Sequence, residues 1–391
     1  MSDRIRVLFA IGSLAGGGSE RQIVNILRHI DRSKFEPHLY LVNRTGEFLS
    51  QVPDDVEIAS FVEPANAGAL NLPGLAHRAQ VTHVENCLRE KQIDVLYDRT
   101  PHMTLISAPA CRRTNTPRLS TIVCDPEHDL RESFTRFRWI KERLLRKAYR
   151  TADCVIANSQ SLSEASQSGF GLSRTQVVTI SNGFDFEEIS RLSEASEDAL
   201  TLKQTEATYH LVAVGRLHPQ KGLVDLINAV HELNQRRVER RVELSLIGQG
   251  PERESLMQRV DELDLGQQVR FTGFLSNPYR AIRTADLFCL TSLYEGMPNV
   301  LVEAMSLGVP VLSTDCPHGP RDILQGGELG TLVPCRDSQK IADGIEQAIA
   351  SASNRDIQTA KAKESVLSRF SIGPTTRSLE ELLTYVARHH K

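Results

Sequence analysis

Several common signatures are absent from the 391-residue sequence. Its seven cysteines form no CxxC pair and accompany no histidine cluster, which argues against both a zinc site and a disulfide framework. It has no hydrophobic run long enough for a signal peptide or a membrane-spanning helix, so we expect a cytoplasmic protein. The formal net charge of -3 argues against general nucleic-acid binding. We therefore expect no metal, no cofactor and no nucleic-acid partner.

One glycine-rich loop also lacks a lysine. Residues 11–20 read IGSLAGGGSE and follow an apolar, strand-like run, as a phosphate-binding loop does. Gly12, Gly17 and Ser19 fit the Walker pattern, but Gly18 stands where that pattern requires lysine. This difference argues against a phosphate-loop NTPase.

The chain does contain a regular alternation of short apolar runs and helical segments. Runs such as RIRVLFAI, IDVLYD, HLVAVG and VPVLST alternate with helical patterns, which is typical of βαβ units and parallel sheets. A polar stretch rich in Ser, Glu and Thr separates two such series and is typical of a linker. We predict an α/β protein with two doubly wound domains, at residues 1–190 and 209–370, joined by a linker at residues 191–208. A C-terminal helix at residues 371–391 is predicted to pack back on the first domain.

The loop VGRLHPQKG in the second half carries two cations behind a strand. Arg216 and Lys221 both precede a helix that begins near Leu223. Fixed positive side chains and free N–H groups at a helix N-terminus suit a diphosphate. On these residues alone, a solvent-exposed arginine and lysine explain the pattern equally well.

Two other strand ends in the second half carry glycine. Gly248 and Gly250 begin a pattern like the dinucleotide fingerprint, but Arg253 occupies the position of its third glycine. We predict a tight strand-to-helix turn there. Gly273 ends the run VRFTG, where the missing side chain would let a flat ring approach the backbone.

Two glutamates in YEGMPNVLVEAMSLGVPVLST give the strongest signal. Glu295 follows a strand, and Pro298 is predicted as the first helical residue, so Glu303 lies inside the helix. Because helical side chains lean toward the helix N-terminus, Glu303 can point to the same site as Glu295. One carboxylate would hold sugar hydroxyls and the other a ribose. A capping or ion-pairing role for Glu303 is the alternative.

Together these motifs resemble those of the retaining, nucleotide-sugar-dependent glycosyltransferases of family four. The resemblance covers nearly the whole chain and rests on SLAGGGSERQ, ISNGFD, VGRLHPQKG, IGQGPERESL, VRFTGFL, YEGMPNVLVEAMSLGVPVLSTD, GTLVP and RFSI. It implies the GT-B fold, in which two Rossmann-like domains face each other across a cleft.

The resemblance also implies roles for individual residues. Arg216 and Lys221 would neutralise the donor diphosphate in place of a metal. Glu303 would hydrogen-bond the nucleotide ribose, and Glu295 would bind the donor sugar near the reacting centre. The other implied donor contacts lie in three loops, at Gly16, Gly17, Gly273, Phe274, Gly296, Met297, Pro298 and Asn299.

For the reaction, the resemblance implies transfer with retention. The acceptor hydroxyl attacks on the face that the diphosphate leaves, and the leaving phosphate helps to take the proton, so stabilisation of that phosphate supplies most of the catalysis. The family often has an acceptor-side histidine after a strand of the first domain. Here STIVCDPEHDL has Cys124 and Asp125 at that point, and His128 is the candidate, with a surface histidine as the alternative.

Residues 131–150 form a basic segment, with eight Lys or Arg against two Glu. At about 100° per residue, its cations share one face and the apolar Phe134, Phe137, Ile140, Leu144 and Ala148 share another. This pattern suits an interfacial helix on an anionic membrane, but a solvated helix packed on the sheet by its apolar stripe fits equally well. The membrane-contact candidates are Arg136, Trp139, Arg143 and Lys147.

The sequence therefore predicts a metal-independent, retaining hexosyltransferase, cytoplasmic and peripheral to the inner face of the cell membrane. It would move a sugar from a nucleoside-diphosphate sugar, with UDP favoured, to a glycan or lipid-linked acceptor in envelope polysaccharide, lipopolysaccharide or glycolipid synthesis. The alternatives are a sugar-nucleotide epimerase or hydrolase of the same fold, and a non-catalytic nucleotide-binding module.

Overall fold

A computed structural model describes residues 4–61, 74–125, 138–195, 207–236, 240–351 and 355–390. The chain divides into two compact units. The first consists of Met1–Gly183 together with Ile372–Lys391, and the second is Phe184–Ser371. The second unit is thus inserted into the sequence of the first.

The first unit is built on a parallel sheet. Its strands are β1 (Ile5–Ile11), β2 (Phe35–Leu41), β3 (Glu57–Ser60), β4 (Val95–Arg99), β5 (Arg118–Ile122), β6 (Cys154–Ala157) and β7 (Val177–Thr179). Within the described ranges they form one seven-stranded sheet in the order β3-β2-β1-β4-β5-β6-β7, with every pairing parallel. The chain order reverses between β1 and β4, as in doubly wound folds.

Helices cover both faces of this sheet. They are α1 (Gly18–His29), α2 (Leu75–Glu90), α3 (Pro101–Thr114), α4 (Arg138–Arg150) and α5 (Gln160–Phe170). Alternate residues of β1 enter different cores: Val7 and Phe9 pack in one cluster, and Leu8 and Ala10 in another. Because both faces are covered, the strand is a continuous apolar run without polar alternation.

The second unit repeats this plan. Its strands are β8 (Thr208–Val214), β9 (Arg241–Ile247), β10 (Val269–Gly273), β11 (Leu287–Leu290), β12 (Val311–Thr314) and β13 (Thr331–Val333). Among the described residues they form a six-stranded sheet in the order β10-β9-β8-β11-β12-β13, again parallel throughout. The order reverses between β8 and β11. The prediction of two parallel, doubly wound sheets is confirmed.

The helices of the second unit follow in sequence. They are α6 (Phe186–Glu194), α7 (Leu223–Arg236), α8 (Arg253–Glu262), α9 (Tyr279–Arg283), α10 (Asn299–Ser306), α11 (Pro320–Ile323), α12 (Ser338–Ala350) and α13 (Arg355–Arg369). Within the parts of the chain that the structure covers, no helix has both the length and the apolar character needed to cross a bilayer.

The final helix, α14 (Ile372–His389), belongs to the first unit. It packs on α1, β4 and β5. Leu379, Leu383 and Val386 join the same buried cluster as Val7 and Phe9. Helix α14, which has eighteen residues, therefore completes the core to which β1 contributes.

The division between the units falls earlier than the predicted linker at 191–208. Helix α6 packs on α9 and α10, with Ile189 buried and Phe186 and Leu192 against the same cluster. Since these contacts are within the second unit, the division follows Gly183. Residues 196–206 of the predicted linker lie outside the described ranges.

Candidate functional site

The predicted phosphate- and sugar-binding residues lie where the second sheet changes strand order. β8 and β11 are parallel neighbours there. The chain leaves β8 toward Lys221 and leaves β11 toward Glu295. Because the carboxyl ends of parallel strands open at one sheet edge, the two residues meet: Lys221 Nζ lies 2.6 Å from Glu295 Oε1. The fold thus joins side chains 74 positions apart.

A hydroxyl fixes the same carboxylate. Ser292 Oγ donates to Glu295 Oε1 at 2.6 Å. Ser292 is fully buried, and Glu295 is 7% exposed. A buried carboxylate is costly unless it is paired, and an ammonium with a hydroxyl on one oxygen supplies that pairing. The position of Glu295 is therefore set by β8 and β11 together.

Three further hydrogen bonds join the loops that carry these residues. Thr291 Oγ1 donates to the carbonyl of Lys221 at 3.0 Å. The Leu293 N–H donates to the carbonyl of Gln220 at 2.7 Å, and Gln220 Nε2 donates to the carbonyl of Tyr294 at 2.9 Å. The site is consequently a rigid double loop, since each segment satisfies backbone groups of the other.

Two glycines permit this close packing. Gly222 has φ +56°, and a Cβ on it would overlap the carbonyl oxygen of Thr291. Gly248 has φ +145°, and a Cβ there would overlap the carbonyl oxygen of Gly215. Both positions need the conformational freedom and the small size of glycine. The segment after β9 is thus a turn that supports the Gly215 loop.

Glu303 is held by a different contact. It lies in α10 and is 3% exposed. The hydroxyl of Tyr279, a residue that is itself buried, donates to Glu303 Oε1 at 3.3 Å. α10 begins at Asn299 and Pro298 is its N-cap, since the ψ of Pro298 is 101°, an extended value. The predicted helix start at Pro298 was wrong by one residue.

The other predicted donor contacts of the second unit differ in exposure. Arg216 is exposed and makes no hydrogen bond or ion pair with any residue in the described ranges. Gly273 ends β10 with φ +78° and has open space where a Cβ would be, and Phe274 is half-buried. The loop before α10 is buried at Gly296, Met297 and Pro298, and so is Asn299, the first residue of α10.

The charges of Lys221 and Glu295 act on the nearby thiol of Cys316. Burial raises the pKa of the Cys316 thiol, and the negative charge of Glu295 raises it further. The described residues include no group of three or more His, Cys, Asp or Glu side chains that could hold a metal ion. Lys221 supplies a positive charge 2.6 Å from the Glu295 carboxylate.

The first unit holds the other predicted residues. Gly16 has φ +86° in the loop between β1 and α1, and Gly17 is the N-cap of α1. His128 and Arg136 lie outside the described residues.

Helix α4 exposes a mixed face. Trp139 is 71% exposed, Leu144 49% and Ile140 37%, and Arg143 and Lys147 are exposed beside them. The residues that α4 buries are Leu145, Ala148 and Tyr149. Of the predicted apolar stripe, Ala148 is buried, whereas Ile140 and Leu144 are exposed, and Phe134 and Phe137 lie outside the described residues.

Sequence reasoning missed Ser292 and Tyr279. Ser292 stands three residues before Glu295, and a hydroxyl so close to a loop carboxylate is a usable signal. Tyr279 is 24 residues from Glu303. Only the packing of α9 against α10 brings these two together.

Two family profiles match the chain. "Glycosyltransferase Family 4" matches residues 16–188, and "Glycosyl transferases group 1" matches residues 198–365. The two matches lie one after the other and together cover most of the sequence.

Curated proteins and a solved structure are also similar. An uncharacterized glycosyltransferase of Methanocaldococcus jannaschii is 28% identical over 176 residues, 45% of this chain and 43% of that protein. The chain therefore spans less than half of that relative. The N-acetylgalactosamine-N,N'-diacetylbacillosaminyl-diphospho-undecaprenol 4-alpha-N-acetylgalactosaminyltransferase of Campylobacter jejuni is 26% identical over 90% of this chain and 92% of its own. The crystal structure of Anabaena HepE with UDP and glucose aligns with a TM-score of 0.77 and 22% identity, over 98% of this chain and 100% of HepE.

Proposed function

Because the chain belongs to the family-four glycosyltransferases of the GT-B fold, retaining enzymes that use nucleotide-sugar donors, we propose that its donor is a UDP-sugar. We propose further that its acceptor is a lipid-linked glycan of the cell envelope. The observation that carries the donor site is the Lys221–Glu295 ion pair at the point where the second sheet reverses strand order.

Two similar proteins support these choices. HepE is crystallised with UDP and glucose, which favours a uridine nucleotide. The Campylobacter relative is named for a diphospho-undecaprenol acceptor, which favours an acceptor with a lipid diphosphate. Both aligned regions extend over nine tenths or more of this chain.

The donor diphosphate would lie against the loop after β8. Lys221 is already oriented by Glu295, so its ammonium needs little reorganisation when the phosphates arrive. Arg216 is exposed in the same loop and is available for a bidentate phosphate contact. These two cations would offset the negative charge of the diphosphate, in place of a divalent metal.

The sugar and nucleoside would lie on either side of the diphosphate. Glu295 would accept hydrogen bonds from sugar hydroxyls, and the N-terminal end of α10 would donate N–H groups to the phosphates. Glu303, held by Tyr279, would accept from the ribose hydroxyls. Gly273 leaves space at its Cβ position for the base to stack on the backbone.

The reaction would proceed on one face of the sugar. The bond from the anomeric carbon to the diphosphate oxygen breaks as a bond to the acceptor oxygen forms, and the acceptor proton passes to the departing phosphate oxygen. Lys221 and Arg216 stabilise the charge that develops on that diphosphate, which is the main catalytic contribution of the protein. His128 remains the acceptor-side candidate.

The acceptor proposal has its own structural support in the first unit. The exposed face of α4 combines Trp139 and Leu144 with Arg143 and Lys147. Such a face suits the interface of an anionic bilayer, where the aromatic ring enters the headgroup region and the cations meet acidic lipids. We therefore propose a peripheral location at the cytoplasmic face of the membrane.

A nucleotide-sugar screen tests the donor. The melting temperature of the full chain is measured with UDP-, GDP- and ADP-sugars, each in magnesium and in EDTA. We expect stabilisation by a UDP-sugar, with equal effect in EDTA. Stabilisation only by ATP with magnesium would contradict the donor proposal.

Product analysis then tests the transfer. The selected UDP-sugar is incubated with and without a diphospho-polyprenol glycan, and products are separated by mass. Extension of the glycan with the anomeric configuration retained is expected. Epimerised or hydrolysed sugar that forms at the same rate without acceptor would instead support the epimerase or hydrolase alternative.

A further inference from the structure

The first unit contains two buried arginines with different partners. Arg118 is paired with the carboxylate of Asp98 at 3.2 Å, and both are buried. Arg99 is also buried, with 3% of its surface exposed. Its Nη1 donates to the Tyr97 hydroxyl at 3.1 Å, and its Nη2 donates to Asn182 Oδ1 at 2.6 Å. Among the described residues, Arg99 has no carboxylate partner.

A buried cation without a negative partner is unfavourable. Neutral acceptors such as a hydroxyl and an amide oxygen replace only part of the hydration that a guanidinium loses. Arg99 Nε, in addition, has no hydrogen-bond partner in the described part of the chain. The charge of Arg99 and one of its donors are thus left without a partner.

Two more residues that line the same small cavity carry a polar atom without a partner. Gln22 Nε2 and Thr376 Oγ1 are buried and make no hydrogen bond to any described residue. Gln22, Arg99 and Thr376 all line a cavity of about 20 Å³. A guanidinium N–H and an amide N–H can only donate, and a hydroxyl can also donate. The lining therefore offers three donors to one small acceptor.

The backbone adds positive potential at the same point. Ile372 and Thr375, from the first turn of α14, line the cavity. The N-terminus of a helix carries partial positive charge and N–H groups without intrahelical partners. Since Ile372 and Thr375 belong to the first turn of this 18-residue helix, the positive potential of its N-terminus acts on the cavity.

From these contacts we propose that the first unit binds one monatomic anion of chloride size between α1, β4 and α14. The ligands are Arg99 Nε, Gln22 Nε2 and Thr376 Oγ1. A cavity of about 20 Å³ holds one ion or water and is too small for phosphate or sulfate. The anion neutralises Arg99 and ties the start of α14 to α1 and to the end of β4. The site is distinct from the Lys221–Glu295 pair, which belongs to the second unit.

Bromide locates the site directly. Crystals of the full chain are grown in sodium bromide, and the anomalous signal of bromine is measured. We expect one strong peak within hydrogen-bonding distance of Arg99 Nε and Gln22 Nε2. A cavity that contains ordinary water density without anomalous signal, or bromide only at the protein surface, would overturn the proposal.

Solution stability gives an independent readout. The melting temperature is measured in sodium chloride and in sodium gluconate at equal ionic strength, since gluconate cannot enter the cavity. We expect a rise of about 3–5 °C per tenfold increase in chloride above its dissociation constant. Equal stability in the two salts at every concentration would contradict the site.

Variants connect the effect to these residues. Arg99→Met removes the charge and should abolish the chloride dependence. Arg32→Met removes an arginine that pairs with Asp55 at the surface and should leave the dependence intact. Thr376→Val keeps the side-chain volume, so it remains informative even if the Arg99 variant does not fold. It should shift the chloride midpoint to higher concentration, and an unchanged midpoint would exclude Thr376 as a ligand.

Discussion

Lys221 Nζ and Glu295 Oε1 form a 2.6 Å ion pair, and the Ser292 hydroxyl donates to the same carboxylate oxygen. The lysine is partly exposed, while the glutamate is buried. The lysine side chain is therefore held in a fixed and partly exposed position at the sheet edge. A cation placed in this way can stabilise a leaving diphosphate without first being ordered.

Replacing Lys221 should weaken nucleotide binding. A hydrogen bond to a charged group contributes about 1.5–3 kcal/mol, so Lys221→Ala should lower the affinity for UDP by about 10–100-fold. Isothermal titration calorimetry measures the change. The control is Lys340→Ala, which removes a lysine paired with Asp343 at the surface. Unchanged UDP affinity in the Lys221 variant would remove Lys221 from the diphosphate site.

Glu303 should recognise the ribose hydroxyls of the nucleotide. Glu303→Gln should weaken UDP binding by about tenfold or more, because a charged acceptor is lost. It should also bind UDP and its 2′,3′-dideoxy analogue with nearly equal affinity, whereas the native protein prefers UDP. Tyr279→Phe should have a smaller effect of the same kind, since it removes only the hydroxyl that orients Glu303.

A surface glutamate provides the control for this comparison. Glu262 pairs with Arg259 at the exposed end of α8, and Glu262→Gln should retain both the affinity and the preference for UDP. If Glu303→Gln still discriminates against the dideoxy analogue, its role is structural.

Gly222→Ala should destabilise the second unit. Its backbone has φ +56°, and a Cβ would overlap the Thr291 carbonyl that lies next to it. Strain of this kind costs about 1–3 kcal/mol, and relief by movement would displace Lys221. Denaturant unfolding and UDP titration should therefore both change. Gly266→Ala is the matched control, since nothing lies within 4 Å of a Cβ there.

Helix α4 should mediate membrane binding. Each cation near an anionic surface contributes about 1 kcal/mol, so Arg143→Gln with Lys147→Gln should reduce binding to anionic vesicles by about 20–30-fold. Trp139→Ala should reduce it as well, by removing the interfacial ring. Vesicle flotation at low salt measures both effects.

The control variant for membrane binding loses two positive charges, as the α4 double variant does. Lys361 and Lys363 are exposed on α13 in the second unit, and their joint replacement by glutamine should leave vesicle binding unchanged. Equal losses in the two double variants would indicate a general charge effect and would contradict a specific role for α4.

Strong apolar runs made the central strands predictable, while two of the four edge strands were missed. β3 (Glu57–Ser60) and β13 (Thr331–Val333) have four and three residues and contribute few fully buried side chains, so their hydrophobic pattern is weak. The central strands are covered on both faces and therefore carry a clear signal, even where they have only four residues, as β6, β11 and β12 do.

Individual site residues could be predicted, but their pairing could not. Glu295 and Lys221 each follow a strand in a recognisable motif, yet their contact depends on β8 and β11 being neighbours. The chain order does not specify that adjacency, because β9 and β10 lie between β8 and β11 in the sequence. The exposed face of α4 could not be predicted either, since the rotation of the helix about its axis depends on the contacts of Leu145 and Tyr149.

The path of the chain affects how the protein can be synthesised. Strand β1 is made before the second unit, and α14, whose Leu379 and Leu383 pack in the same core as β1, is made after it. On the ribosome, the first unit must wait for the whole of the second before its core can close. A fragment that stops at Gly183 would leave that core uncovered, whereas a fusion of residues 4–183 to 372–390 would supply the missing helix.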